Sequence, residues 1–318
     1  MKLFLCNNLR LGVSCAENLS IPLSHEWTEK RNDKFRELLD TADREGVQCC
    51  VFTGKLFGTP HVPESLADVL FDAVRIHEDL PVVAYVSEPE YRRLTARGDM
   101  PANLHLITQE KEAVYTDGAA EIAAAEDGIL FRASDMPEAF LIRDVAGAFF
   151  DGAKRLPGFE PAGFEEAADG TYGYTVITTG SGGYMAEPAG GARFTYKDAV
   201  IVNDPEDTAE DLAEKADSVL ADADKNTFLR LTVRGTTAFG TLIDSEALKN
   251  HLLKTVFYAE VYDNTSMEVD RSALENDISL QSEFVRLALR DESLSETERS
   301  RLISCGWNAL NGKEGAGK

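Results

Sequence analysis

Apolar positions in the first hundred residues fall into short runs separated by amphipathic stretches. Residues 2–6 form one such run and read as a first strand. Between Asp33 and Glu45, Phe35, Leu38, Leu39 and Ala42 recur at i, i+3, i+4 and i+7, which predicts a helix, with Gly46 at its C-cap. Val47 to Thr53 is β-rich and apolar on both faces, the pattern of a central parallel strand. Pro63 to His77 carries Leu66, Val69, Leu70 and Val74 on one helical face, and Pro81 to Val86 is a third apolar run. This β-α-β-α-β order predicts a parallel sheet covered by helices.

Beyond residue 101 the periodicity shortens. Leu104–Ile107, 113–115, 121–123 and Tyr174–Thr179 read as strands. A helix is expected around 145–153, followed by an irregular stretch holding Pro157 and Pro161. A Pro/Gly-rich loop is expected to Gly191, then a strand at 199–202. Composition changes at Asn203-Asp204-Pro205, ahead of an acidic helix over 206–224. Strands at 228–233 and 256–262, a helix at 245–253 and two helices after Asp270 complete the pattern. Two domains are expected, 1–205 and 206–318.

Hydrophobic residues make up 43% of the 318, enough for a sizeable core. No apolar run approaches the length of a membrane span, and the apolar N-terminal run is too short for a signal peptide. The five cysteines have no metal-knuckle spacing, which fits reduced thiols in a cytoplasmic protein. Net charge is −23, from 55 acidic against 32 basic residues. Neutralised phosphates supply most nucleic-acid affinity, so autonomous DNA binding is not expected.

Candidate chemistry sits at the predicted strand ends. Asn8 and Arg10 follow the first strand and Lys55 and Gly58 the second. Glu88, Pro89 and Glu90 follow the third, and Ser181 and Gly183 a late one. Polar residues occur at the strand ends of any α/β domain. Pro89 favours a turn, and Gly180-Ser181-Gly182-Gly183 reads as a turn or an anion cradle that lacks the Lys-Ser/Thr of a P-loop. The five histidines form no i, i+4 pair, and there is no Gly-x-Ser-x-Gly elbow.

In order and spacing these segments resemble the metallophosphoesterase superfamily, specifically its SbcD/YhaO-like DNA-repair exonuclease subunits. That family holds two divalent ions about 3.5–4 Å apart at strand ends. Asn7-Asn8-Leu9-Arg10-Leu11-Gly12 stands where the family has Ser-Asp-x-His-Leu-Gly, and Gly54-Lys55-Leu56-Phe57-Gly58 where it has Gly-Asp-Leu-Phe-Asp. Ser87-Glu88-Pro89-Glu90 replaces Gly-Asn-His-Asp, and Gly180-Ser181-Gly182-Gly183 replaces Gly-His-x-His. The C-terminal segments 228–237 and 261–265 are similar to the capping domain of the YhaO-like branch.

The resemblance implies an α/β fold, a two-sheet α/β/β/α sandwich followed by a small α/β capping domain. It implies that the ligand positions Asn8, Arg10, Lys55, Gly58, Glu88, Pro89, Glu90, Ser181 and Gly183 are degenerate, with no metal and no cofactor held. The expectation is a catalytically inactive subunit partnered by an SbcC/YhaN-like coiled-coil ATPase in DNA repair, with homodimerisation also implied. Lys55 and Arg10 would fill the vacated cation space and pair with Glu88 or Glu90. Two other readings stay open: an active metal-dependent exonuclease or phosphoesterase with a relocated site, and a small-molecule-binding α/β protein. The terminal helices, with Leu274, Ile278, Phe284, Leu287, Ala288, Trp307 and Leu310, are a candidate docking surface for a partner helix.

Overall fold

The opening apolar run forms strand β1 (Lys2–Asn7), and the next two form β2 (Cys49–Thr53) and β3 (Val82–Tyr85). Together with β4 (Leu104–Ile107) they make a parallel ladder, registered Leu3 with Cys49, Cys50 with Val82 and Val82 with Leu104. In this computed structural model the described residues are 1–59, 61–109, 114–116, 120–125, 128–135, 140–143, 149–150, 154–239, 241–267 and 277–310. The chain divides into two compact units, Met1–Phe194 and Thr195–Lys318.

Period-two alternation sends alternate residues of each parallel strand to opposite faces. Phe4, Cys6, Cys50, Phe52, Val82 and Ala84 pack with helices α1 (Ile21–Arg44) and α2 (Glu64–Arg75), through Phe35, Leu39, Leu70, Phe71 and Val74. Leu3, Leu5, Cys49, Val51, Val83 and Ile107 pack instead on Ile122, Ile129, Phe131 and Ile142 of a second sheet. That sheet is an antiparallel meander of β5 (Val114–Thr116), β6 (Ala120–Ala125), β7 (Gly128–Ala133), β8 (Phe140–Arg143), β9 (Phe149–Phe150) and β10 (Lys154–Arg155). The first unit is therefore mixed α/β, layered helix on sheet on sheet. Among the described residues no helix layer covers the outer face of the second sheet.

Several elements differ from the sequence reading. Helix α1 begins twelve residues before Asp33, because its first half buries Trp27, Arg31 and Asn32, and buried polar residues conceal the apolar stripe. The expected helix around 145–153 is corrected where it is described: 149–150 form a strand, paired in the meander with 154–155. Its remainder lies outside the described residues. Strand β11 (Tyr174–Gly180) pairs antiparallel with β1 and is followed by β12 (Gly183–Ala189), where a loop was expected. β12 is the sheet edge, where Pro188 is tolerated.

In the second unit, β13 (Thr195–Asn203), β14 (Thr227–Thr237) and β15 (Tyr258–Asp263) form a parallel sheet, and β16 (Ser266–Met267) pairs with the end of β14. Helices α5 (Ala209–Ser218) and α6 (Ser245–Leu252) cover one face through Leu212, Ala216, Leu248 and Leu252. The change of composition at Asn203-Asp204-Pro205 thus marks the end of a strand that belongs to this unit. Of the candidate docking residues on α7 (Leu280–Arg290) and α8 (Glu296–Leu310), Ala288 is buried and Phe284 and Trp307 are half-buried, packed with Met267, Val285 and Ile303. Ile278, Leu287 and Leu310 are exposed, and Leu274 lies outside the described residues. No helix among the described residues is long and apolar enough to cross a membrane.

Candidate functional site

Parallel strands deliver their following loops to one edge of the sheet, and in open α/β sheets that carboxyl edge is where ligands bind. Here it carries a cleft of about 1010 Å³. Asn8 and Arg10 line it from the loop after β1, and Lys55 and Gly58 from the loop after β2. Glu88, Pro89 and Glu90 contribute from beyond β3. Seven of the nine residues singled out from sequence therefore meet.

The other two do not. Ser181 and Gly183 form the β11–β12 turn, closed by the Gly180–Gly183 pairing. Thr179 N–H donates to Met1 C=O at 2.8 Å, which fixes this turn at the amino end of β1. The cleft is at the carboxyl end, roughly 17 Å away along the strand. The glycine loop is a hairpin turn, and its alignment with the late histidine motif is corrected by antiparallel pairing.

The loop after β1 is held in an uncommon conformation. Asn8 (φ 54°) and Arg10 (φ 50°) are the two non-glycine residues with positive φ among those described. Such backbone persists where the surroundings over-determine it, and it clusters at functional sites. The constraint comes from a backbone ladder: Asn8 N–H donates to Thr53 C=O, Arg10 N–H to Lys55 C=O and Leu11 N–H to Leu56 C=O, each at 2.9 Å. Asn8 Oδ1 accepts the Lys55 N–H at 3.0 Å. Gly54 (φ 72°) is required there, since a Cβ would sit 2.5 Å from the Oδ1 atoms of both Asn7 and Asn8. Gly58 likewise has a packing reason, because its Cβ would lie 2.5 Å from Val13.

Two cations from α1 hold the adjoining segment 159–161, whose Phe159 N–H donates to Asn7 C=O at 3.0 Å. Arg31, buried, donates to Pro161 C=O at 3.1 Å and stacks over Trp27 with its guanidinium carbon 4.9 Å from the ring centroid. Lys34 donates to Phe159 C=O at 2.9 Å and pairs with the fully buried Glu160 carboxylate at 2.6 Å. Burial pulls the Lys34 ammonium below its usual pKa, against the pull of Glu160.

The expected pairing of Lys55 and Arg10 with Glu88 or Glu90 is corrected. Arg10 instead donates from Nη1 to both carboxylate oxygens of Glu166, at 2.8 and 2.9 Å. Glu88 is held by Arg92 at 2.9 Å. Glu90 accepts the Ser87 N–H and Oγ–H at 2.8 and 2.7 Å, capping helix α3 (Glu88–Thr95). Both carboxylates thus serve the first turn of α3, where negative charge is favourable. Among the described residues the Lys55 ammonium has no hydrogen-bond or ion-pair partner, and its side chain is exposed. Glu166, on helix α4 (Phe164–Asp169), was missed from sequence because 164–169 lies between prolines and glycines with no apolar period. Burial raises its pKa, but hydrogen bonds from Arg10 and the Ala162 N–H outweigh that and hold it below the usual glutamate value.

This donor set does not fit a pair of divalent ions. Two of the positions are cationic, Asn8 Oδ1 is taken by a backbone N–H, and the three carboxylates are engaged by Arg10, Arg92 and Ser87. No group of three or more His, Cys, Asp or Glu placed to hold a metal occurs among the described residues. Cys6 offers no thiolate, since burial pushes its pKa up to about 12. The sequence matches no model of a known protein family and no curated protein sequence.

Proposed function

We propose that the first unit is a metallophosphoesterase-like domain that has exchanged its metal ligands for fixed charges. The chain then serves as a non-catalytic subunit, with an SbcC/YhaN-like coiled-coil ATPase as the partner the resemblance implies. One observation carries this reading. Seven positions that the resemblance aligned with metal ligands line a single strand-end cleft, and the side chains there are cationic, apolar or already engaged. Two cationic side chains on neighbouring loops disfavour a divalent ion by direct repulsion. The second sheet packed on the first supports the likeness at the level of layers.

The test has three parts on the full-length protein. Hydrolysis of a generic phosphodiester with added Mn²⁺ is expected to stay at the buffer rate. Binding to duplex DNA at physiological salt is expected to be undetectable, as the net charge of −23 disfavours it. Co-purification with a coiled-coil ATPase encoded beside this chain is expected. Metal-dependent hydrolysis abolished by Glu88→Ala or Glu90→Ala would establish an active phosphoesterase instead.

A further inference from the structure

We propose that the outer face of the parallel sheet in the second unit is a self-association surface. A second copy of this chain packs on it, sheet against sheet, about a twofold axis along the row Val200–Thr232–Tyr262. The proposal concerns the second unit alone and stands whether or not the cleft of the first is catalytic.

Parallel sheets are almost always covered on both faces. Here α5 and α6 cover the face that carries Ile201, Leu229, Leu231 and Val233. Strand pairing sets the side chains of the other face in rows. Asp198, Arg230 and Glu260 form one, Val200, Thr232 and Tyr262 the next, and Val202 then stands beside Arg234. At its amino end this face is closed by rings, since the buried Phe228 stacks on Tyr196 at 4.7 Å and packs on Tyr258 at 5.6 Å. Among the described residues no helix buries the carboxyl half. Val200, Val202 and Tyr262 are 51%, 58% and 45% exposed there. Tyr262 is also held in place, because its hydroxyl donates to Glu260 Oε2 at 2.8 Å while Tyr258 donates to Oε1 at 2.7 Å. An aromatic ring fixed before contact loses little entropy on binding and suits an interface anchor.

Charge selects a second copy as the occupant. The chain carries −23, yet these rows hold Asp198 and Glu260 against Arg230 and Arg234 and are balanced. A basic partner gains nothing from a balanced surface, whereas two strongly acidic copies can approach each other only on such a surface. The pattern is also self-complementary, as a twofold interface requires. Rotation about the apolar row sets Val200 and Tyr262 each against its counterpart. It carries Arg234 onto the Asp198–Arg230–Glu260 row of the copy, which has one negative charge in excess. The strands then run aligned, one of the two favoured ways for sheets to pack face to face. Addition of a strand at the β13 edge is disfavoured, because Lys215 Nζ already donates to Val202 C=O at 3.0 Å and guards that edge.

Sedimentation equilibrium of the full chain at physiological salt, across a wide concentration range, tests this. A reversible dimer is expected. Val200→Asp and Val202→Asp are each expected to raise its Kd about tenfold or more. Both positions are more than half exposed, so both variants keep the circular dichroism spectrum of the parent. Leu287→Asp, at a position on α7 as exposed as Val202, is expected to leave the Kd unchanged. In a Cys305→Ala background, Val200→Cys lies on the axis and is expected to be joined to its counterpart by a short bis-maleimide, as mass spectrometry of the linked peptides would show. A chain that stays monomeric, a dimer that survives both aspartates, or one lost in Leu287→Asp instead overturns the proposal. Metal content and hydrolysis are untouched by any of these results, so the non-catalytic reading of the cleft stands or falls separately.

Discussion

Parallel strands end in polar residues in both units, and the two ends treat those residues differently. In the second unit they are buried and satisfied by one another. Asn203 donates to Thr236 C=O at 2.5 Å and to Asp204 C=O at 3.1 Å. Asp263 accepts the Thr265 N–H at 3.0 Å and its hydroxyl at 2.6 Å, and Asn264 N–H closes on Val233 C=O at 2.8 Å. In the first unit the same edge opens into a cleft, its backbone bent through two left-handed residues and Lys55 left facing the space. A strand end therefore becomes a site only where its polar groups are not consumed by the fold itself. Residue type alone does not separate the two cases, since both edges carry Asn and charged residues.

Removing the buried support of the open end has the largest expected effect. Lys34→Met leaves the Glu160 carboxylate buried without a counter-ion, with only the Arg193 N–H donating to it, at an expected cost of about 3–5 kcal/mol in urea unfolding. Lys34→Met combined with Glu160→Leu should recover most of that. A single variant as stable as the parent would show that the loop after β1 does not depend on this pair. Gly54→Ala comes next, at about 2 kcal/mol or more, because the left-handed φ and the 2.5 Å approach to Asn7 and Asn8 act together. Its thermal midpoint should fall, and an unchanged midpoint would mean the ladder beneath Asn8 yields easily.

At the closed end, Asn203→Ala strands two backbone carbonyls, and about 1–2 kcal/mol of destabilisation is expected. A neutral result there would remove the contrast between the edges. The smallest effect is a pH dependence from Glu166. Its folded pKa lies below its usual value near 4.5, so its contribution is present above that value and is lost as pH falls through the lower folded one. Between pH 6 and pH 3 the parent should lose slightly more stability than Glu166→Gln. Parallel melting curves would show that the Arg10–Glu166 pair contributes nothing.

Much of this was legible in the sequence, and the rest was hidden for identifiable reasons. The parallel strands stood out because both of their faces are buried, which makes the runs continuously apolar. The cleft followed from them, since strand order alone brings residues 8, 10, 55 and 88–90 to one edge. Helix α3 is hidden in the sequence although Ser87 and Glu90 have capping-box spacing, because a proline in the first turn of a helix reads equally well as a turn. Glu166 could not be found from spacing, because it reaches Arg10 across 156 residues of chain. The misplaced glycine loop has a similar origin. Sequence order gives the late motif a rank but not a direction, and the antiparallel pairing of β11 turns it away from the cleft.

The proposed non-catalytic role predicts that the strand-end cleft holds no divalent ion. The most direct test is elemental analysis of the full-length protein after incubation with excess Mn²⁺ and exhaustive dialysis. The account expects far less than one transition-metal ion per chain, unchanged by Glu88→Ala or Glu90→Ala. About two ions per chain, lost in those variants, would contradict it.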